Sequence, residues 1–561
     1  MGNVSRLSGS EVWKGIVCAD FNAANFCGCL NRHLGMSVTA GPEADVASQL
    51  LTIQQRDEHY DFAVVWTRPE GVIPAFAQAL DFKRPGTESV LQEVQYYIEL
   101  LKGLQARVKH IFVPTWTLPG ASQRGWGMLD LRPELGTNNL LLHMNLSLSE
   151  TLGDVSNIYV LDAWAWMQQR SSYDSKLWYL AKVPFAPDVF KTAALDIIAA
   201  LDGVRGKARK LILLDLDNTL WGGEVGEVGW QSLRLGGHDA VGEAFYDFQC
   251  ALKGLTRRGI ILGLLSKNDE KVALEAIDKH PEMILKQDDF AGWRINWNDK
   301  AENAIELANE LNLGMSSAVF IDDSPAERSR VQEALPEVLV PEWPTDPLLY
   351  KQTLHSLRCF DVPWVSAEDE QRTDLYVSER KRRKEQKIAL SFDDWLQRLN
   401  TMVTAIPLNL ADLPRAAQLL NRVNQMNLCT RRLSEDELAG WLQDASQYSW
   451  LFRVSDTFGD AGVCGFAGLR ISGGVGMVTD FVLSCRVMGR GVETAMLHCI
   501  TKHATLVGVN DVQAIYKETD RNQPCRDFFE QSELVAQGDT FVWHNGIYAC
   551  PSAIEMVFED A

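Results

Sequence analysis

Asp215 and Asp217 stand two residues apart directly after an apolar run, Leu211–Leu214. Such a run suits a strand buried on both faces of a parallel sheet, although a turn of buried helix shares the pattern. On an extended segment, side chains two apart point the same way. Both carboxylates would then converge at the carboxyl end of the strand, the edge where open α/β sheets bind ligands. Two carboxylates so close repel unless a cation or a proton lies between them. Mg2+ is the natural cation, because it takes a few oxygen ligands and keeps waters for a phosphate. The alternative for an isolated D-x-D is a strand-end turn with two solvated acids.

Three further stretches follow in order. Residues 262–268, LGLLSKN, place Ser266 at the end of a second apolar run, with Lys267 and Asn268 behind it. Lys300, in NWNDKAENA, stands at a helix start, and residues 319–325, VFIDDSP, end a third strand on Asp322 and Asp323. With D-x-D-x-T at 215–219, this set resembles the haloacid dehalogenase (HAD) phosphatase superfamily. The resemblance implies roles. Asp215 would attack phosphorus and carry the phosphoryl group. Asp217 would protonate the leaving oxygen and then activate water. Thr219, Ser266, Lys267, Asn268 and Lys300 would hold the phosphate oxygens, where transition-state charge gathers. Mg2+ would sit among Asp215, Asp322 and Asp323, with Asp217 contributing its carbonyl. Taken singly, Ser266 reads equally as a helix N-cap and Lys300 as a solvated lysine. The gaps from Thr219 to Ser266 and from Ser266 to Lys300 leave no room for a large cap domain, so only a short flap from Trp221 to Gly229 can cover the site. An open site fits a phosphate on a large carrier or on a thiol of the same chain.

The last third carries a second chemistry. Residues 451–454, 463–469 and 477–483 read as antiparallel strands with turns at Gly459 and at Gly473-Gly474. The third strand runs into SCRVMGRG (484–491) and then a helix, Val492–Leu506. R-x-x-G-x-G before a helix resembles the pyrophosphate loop of GCN5-related N-acetyltransferases (GNAT), whose backbone N–H groups suit a pantetheine or CoA phosphate. The resemblance assigns that contact to Arg486, Gly489, Arg490, Gly491 and Asn522. A strand at 512–516, then Asn522-Gln523-Pro524 leading to Phe528-Phe529, continues it. Cys485, at a strand end and near Arg486 and a helix N-terminus, is placed where a thiol becomes nucleophilic. His498 on the following helix, or His544, would be its base. The bland alternative for a single cysteine is inert core filler.

The combination of DLDNTLWGGEVGEVG, NQMNLCTRR and SCRVMGRGVE resembles the FkbH-like proteins (HAD subfamily IIIC) over roughly residues 60 to 561, with Val228 standing where a more polar flap residue is expected. The resemblance implies an enzyme of polyketide-type pathways that takes the glyceryl unit of D-1,3-bisphosphoglycerate onto a thiol, here Cys485. The remaining phosphate would be removed at the HAD site and glyceryl delivered to the pantetheine arm of an acyl carrier protein. A competing reading is a CoA-dependent acyltransferase fused to a Mg2+-dependent HAD phosphatase. A third, a carrier-binding scaffold with degenerate sites, sits poorly with the intact acid, serine and lysine set.

These residues need an α/β framework. The 561 residues suffice for about three to four domains. Strand-like runs at Trp13–Cys18, 62–66, 110–113 and 157–161 alternate with helical stretches such as 88–108, a parallel α/β pattern. The order reads as an SGNH-hydrolase-like domain over 1–200, a HAD-like Rossmannoid domain without a large cap over 205–350, a helical linker over 351–392 and a GNAT-like α+β domain over 393–561. The first is expected to be non-hydrolytic, since Asp20 and Asp162 close its first and late strands without the serine and the Asp-x-x-His of that family. Within the linker, SERKRRKEQK (378–387) reads as a solvated helix face or as a docking patch for an acidic carrier. In the last domain, residues 421–432 read as amides and arginines within an apolar helix pattern.

The formal net charge of −20 argues against nucleic-acid binding. No apolar run approaches the roughly 20 residues that span a bilayer. The first residues lack a signal-peptide core, and Arg6 stands where a myristoylation signal wants Ser or Thr. Eleven cysteines, an odd number with no C-x-x-C pair, point to free thiols in a reducing cytoplasm and to no zinc site.

Overall fold

The computed structural model describes residues 12–33, 35–118, 125–168, 172–365, 369, 371–389, 391–433, 435–544 and 546–559. The chain forms two compact units, one drawn from residues up to 210 with 352–365 and the other from 211–351 with 366–561.

The first unit is built on five strands: β1 (Trp13–Cys18), β2 (Met36–Ala40), β3 (Tyr60–Val65), β4 (Val108–Pro114) and β5 (Ile158–Leu161). All pair parallel, in the order β2-β1-β3-β4-β5. Strands β1, β3 and β4 each finish in four consecutive buried residues, as strands covered on both faces require. Helices α1 (Thr87–Lys102) and α2 (Thr137–Leu152) cover one face through Val94, Ile98, Leu101, Leu141 and Leu148. Helix α3 (Pro187–Val204) covers the other through Phe190, Ile197 and Leu201. The helix expected over 88–108 stops at Lys102. Gly103 gives the chain no side chain to continue the stripe, and Leu104 and Val108 are buried as the chain turns into β4. Strand β2 left no pattern to read, because only Val38 of its five residues is buried. Asp20, at the end of β1, accepts from Arg68 N and Nε, and Asp162 accepts from Trp164 N.

The second unit opens on β6 (Leu211–Leu214), β7 (Ile261–Ser266), β8 (Phe290–Ile295) and β9 (Ala318–Ile321), a parallel sheet of order β8-β7-β6-β9. Every residue of β6, β7 and β9 is buried. Between these strands run α4 (Ala240–Thr256), α5 (Glu270–Lys279) and α6 (Lys300–Glu310), and α7 (Pro325–Ala334) follows β9. Only two single turns, Val225–Val228 and Trp230–Ser232, separate β6 from α4, so no cap domain is present there. Helix α8 (Arg372–Ile388) then lies on β8 and leads into a larger sheet.

That sheet contains β10 (Thr401–Pro407), β12 (Gln447–Asp456), β13 (Gly459–Ser472), β14 (Val475–Leu483), β15 (Asp511–Ile515), β16 (Val535–Gln537), β17 (Thr540–Trp543) and β18 (Ile554–Phe558), with helices α9 (Leu413–Arg422), α10 (Glu435–Leu442), α11 (Val492–Leu506) and α12 (Gln523–Gln531). Strands β10, β12, β13 and β14 pair antiparallel, and Gly473 and Gly474 both take positive φ in the β13–β14 hairpin, as a primed turn requires. Strand β14 pairs parallel with β15 only through residues 475–478. Beyond that point the sheet opens, and its far end pairs with two-residue β11 (Met426–Asn427). An antiparallel meander followed by a helical crossover to a parallel strand is the GNAT-like α+β arrangement. Residues 421–432, expected within a helix, instead leave α9 at Arg422 and cross the opening as β11. Their amides bond locally rather than along a helix: Asn427 Oδ1 accepts from Thr430 N and Asn421 Nδ2 donates to Leu433 O. Among the described residues, no helix is long and apolar enough to cross a membrane.

Candidate active site

The carboxyl edge of the parallel sheet in the second unit gathers the acids. Asp215 follows β6, and its N–H donates to Ile321 O at the end of β9, which sets it beside Asp322. Ligand oxygens of Asp215, Asp322 and Asp323 all lie within 4.8 Å of one another. Lys300 is the first residue of α6, whose N-cap Asp299 accepts from Ala301 N and Glu302 N. Its ammonium is 2.9 Å from Asp215 Oδ1 and 2.6 Å from Asp322 Oδ2, and all three groups are buried. The partner of the buried Asp215 Oδ1 is this ammonium. Burial and the charge of Asp215 push the Asp322 carboxyl up to about 6, and the same two causes raise Asp323. Burial alone would lower Lys300, but the charges of Asp215 and Asp322 outweigh it and hold its ammonium above the usual range. One lysine therefore faces three crowded carboxyls. That excess of negative charge fits a small divalent cation held by Asp215, Asp322 and Asp323.

Asp217 points to a different side of the pocket. Its Oδ1 accepts from Trp221 Nε1 at 2.8 Å and Val225 N at 3.0 Å, and its Oδ2 accepts from Asn268 Nδ2 at 2.8 Å. Burial first, then the charge of Asp215, raises its pKa against these bonds. A carboxyl that is raised and anchored in this way is suited to proton transfer. Asn268 therefore orients Asp217, and the Trp221 flap is a strut with its indole buried. Thr219 Oγ1 accepts from Asp323 N at 3.2 Å, Ser266 is buried at the end of β7, and Lys267 pairs with Glu327 at 2.6 Å. Two supports had no sequence signal. Arg328 donates to the carbonyls of Asp322 and Asp323, and Asn218 takes a left-handed φ of 56° while its carbonyl accepts from Tyr350 OH. A cleft of about 400 Å³ lined by Asn218, Gly222, Gly223, Asp323 and Tyr350 opens at this edge.

Cys485 lies elsewhere on the same unit. It is the exposed member of eleven free cysteines; the others are buried or half-buried. Burial pushes Cys499 and Cys359 up to about 12 and Cys429 up to about 11, which keeps them unreactive. Cys485 stands between two cavities. One, of about 270 Å³, is walled by α8 (Arg372, Tyr376, Arg380, Arg383) and by Glu310. The other, of about 370 Å³, is walled by Arg415, Asn424, Ser484 and Arg521. Asn312, just beyond α6, donates its Nδ2 to Cys485 Sγ at 3.3 Å. His498 lines neither cavity; its Nδ1 is 2.7 Å from Tyr548 O. His544 is paired with Asp511.

The loop after β14 keeps left-handed glycines at Gly489 (φ 72°) and Gly491 (φ 83°); a Cβ on Gly491 would also crowd Pro551 and Ile554. Arg486 lines both cavities. Arg490 is instead buried, paired with Glu379 at 2.6 Å and Asp456 at 3.3 Å. Asn522 is fully buried. Its Oδ1 accepts from Tyr516 OH and Thr519 N, while its Nδ2 donates to Asn427 O and Lys517 O. The arginines of α8 are likewise engaged: Arg382 holds Asp456, Arg383 donates to Glu310 O, and Arg380 donates to Gln287 O and Phe290 O. The open HAD site fits a phosphate on a large carrier or on a thiol of the same chain, and the position of Cys485 bears on the second. The two sites are at opposite ends of α6, which rises about 15 Å between Lys300 and Glu310.

The fold and the acid-lined edge define the class: a HAD-type phosphatase domain joined in one chain to a domain of GNAT-like α+β fold. A solved structure of the N-terminal part of protein BF1531 from Bacteroides fragilis, which contains a phosphatase domain and is complexed with Mg, is similar at 25% identity and a TM-score of 0.57. The match covers 63% of this chain and 94% of that one. The ribosomal-protein-S18-alanine N-acetyltransferase of Escherichia coli matches 27% of this chain and 97% of its own at 14% identity, with a TM-score of 0.21. No family model and no curated protein sequence matches the chain.

Proposed function

We propose that this protein is a glyceryl transferase and phosphatase that loads an acyl carrier protein, as its resemblance to FkbH-like proteins implies. The observation that carries the proposal is one unit holding both an open acid-and-lysine edge and an exposed thiol between two cavities. The Cys485 thiolate attacks the acyl carbon of D-1,3-bisphosphoglycerate. A C–S bond forms, the C–O bond to phosphate breaks, and inorganic phosphate leaves with the electron pair. The acyl phosphate is already activated, so the thiolate needs no further help from the leaving group. The pantetheine thiol of the carrier later attacks the thioester, and its proton ends on the departing Cys485 sulfur.

At the HAD edge an Asp215 oxygen attacks phosphorus while Asp217 protonates the leaving alkoxide. Asp217 then takes a proton from the water that hydrolyses the aspartyl-phosphate. Lys300, Thr219 and Ser266 hold the phosphoryl oxygens. Mg2+, which the neighbouring phosphatase structure contains, would be held by Asp215, Asp322 and Asp323 and would neutralise the charge between carboxylate and phosphate. Because α6 separates the two sites, the phosphoester travels between them, as a group on a swinging pantetheine arm can.

A CoA-dependent acyltransferase fused to a Mg2+-dependent phosphatase is the second reading, favoured by the GNAT-like sheet and the left-handed glycines before α11. Incubation with 1,3-bisphosphoglycerate, Mg2+ and a holo carrier protein, followed by intact mass measurement, separates them. A glyceryl adduct on the carrier is expected. Acetyl transfer from acetyl-CoA with no glyceryl adduct would establish the second reading.

A further inference from the structure

The HAD domain contributes a residue to the thiol site. Helix α6 ends in a Schellman turn: Asn312 N donates to Asn309 O and Leu313 N to Ala308 O, with Asn312 at the left-handed position, φ 53°. Glycine is the usual residue there, so backbone geometry alone does not call for a side chain. The asparagine side chain instead reaches across to the GNAT-like domain and donates to Cys485 Sγ at 3.3 Å. Asn312 lines both cavities that meet at the sulfur, as do Cys485 and Arg486.

We infer that Asn312 is a catalytic hydrogen-bond donor of the thiol site. Its Nδ2–H bonds the thiolate before attack. When sulfur adds to an acyl carbon, the carbonyl π pair moves onto oxygen, and the same amide lies within reach of that anion. It then releases the bond as the C–O pair re-forms and the leaving group departs. A donor beside both nucleophile and reacting carbonyl is what acyl transfer requires. The corollary is that the acyl-transfer site is complete only with the HAD domain docked. This inference rests on Cys485 being the acyl-accepting thiol.

Two variants test it in the full chain. Asn312→Gly removes the donor while leaving the left-handed turn relaxed. Asn312→Asp keeps the shape and tolerates the same φ, but sets a negative charge beside the sulfur. Each is compared with wild type in two assays. The first is the pH profile of Cys485 alkylation by iodoacetamide, read by peptide mass. The second is the rate of adduct formation from 1,3-bisphosphoglycerate. Unchanged thermal unfolding controls for the fold. The alkylation profile is expected to move to higher pH by about one unit in Asn312→Gly and further in Asn312→Asp, with adduct formation slowed at least tenfold. Profiles and rates that coincide with wild type would overturn the role of Asn312. A shifted profile with no adduct in any protein, wild type included, would overturn the transferase reading instead, and with it the role in acyl transfer.

Discussion

Lys300 and Asp217 show what burial does to single groups at the phosphatase edge. Lys300 is held charged by two carboxylates, and its removal leaves Asp215 and Asp322 facing each other without a cation from the chain. Lys300→Met is expected to lower turnover of p-nitrophenyl phosphate about 10²–10³-fold, the loss typical of removing one donor from a developing oxyanion. A loss below tenfold would show that the lysine only fills space. Asp217 is anchored by three donors and raised by burial, so Asp217→Asn preserves the shape and removes the proton. The expected loss in turnover is about 10²–10⁴-fold, greatest for substrates with poor leaving groups, since those need the acid most. These residues could be read in advance because their types and their strand-end positions are local facts of sequence. Asn312 could not, because only tertiary folding brings it to a cysteine 173 positions away. The burial of Arg490 was hidden for the same reason: its partners Glu379 and Asp456 are distant in sequence.

At the scale of elements, caps and ion pairs fix where the reactive groups stand. Asp299 caps α6 and is itself held low by Arg330, which bonds its other oxygen. Asp299→Ala is expected to cost about 1 kcal/mol in urea unfolding and to weaken phosphatase activity, because Lys300 is the first residue of the helix it caps. Helix α8 is joined to the GNAT-like sheet by Arg382, whose Nε and Nη2 both donate to Asp456 while the two side chains are 5% and 2% exposed. Arg382→Ala leaves Asp456 buried with Arg490 as its remaining cation, and the expected cost in unfolding free energy is about 1–3 kcal/mol. A neutral effect would mean that Arg490 alone suffices to hold Asp456. This network also engages three arginines of the basic run at 378–387. The run reads as a solvated face or docking patch when partners are unknown, yet Arg380, Arg382 and Arg383 face carboxylates and carbonyls of the same unit. The strands β1, β6 and β14 and the helix α11 were legible because buried runs and glycine turns mark them. The crossing of β11 was not, since its two residues owe their pairing to the opening between β14 and β15.

At the scale of the molecule, the placement of the two sites sets the transport problem. In the proposed reaction a phosphoglyceryl group on Cys485 would have five bonds from sulfur to phosphorus, about 7 Å when stretched at about 1.5 Å a bond. The rise of α6 is about twice that, so on the proposed reading a resting thioester would not deliver its phosphate to Asp215. The phosphatase edge should therefore behave as an independent centre whose ligand stabilises its own surroundings. A ligand that binds the folded state alone adds about 2.7 kcal/mol of stability at one hundred times its dissociation constant. Mg2+ is expected to increase hydrogen-exchange protection in β6, β9 and the start of α6, the elements that carry Asp215, Asp322 and Lys300. Strands β1 to β5 belong to the other unit and carry none of the three acids, so their exchange should stay unchanged. Asp322→Asn should erase the Mg2+ response, since it removes a fully buried ligand charge. Protection that rose equally in both units, or survived Asp322→Asn, would place the cation somewhere other than this cluster of acids.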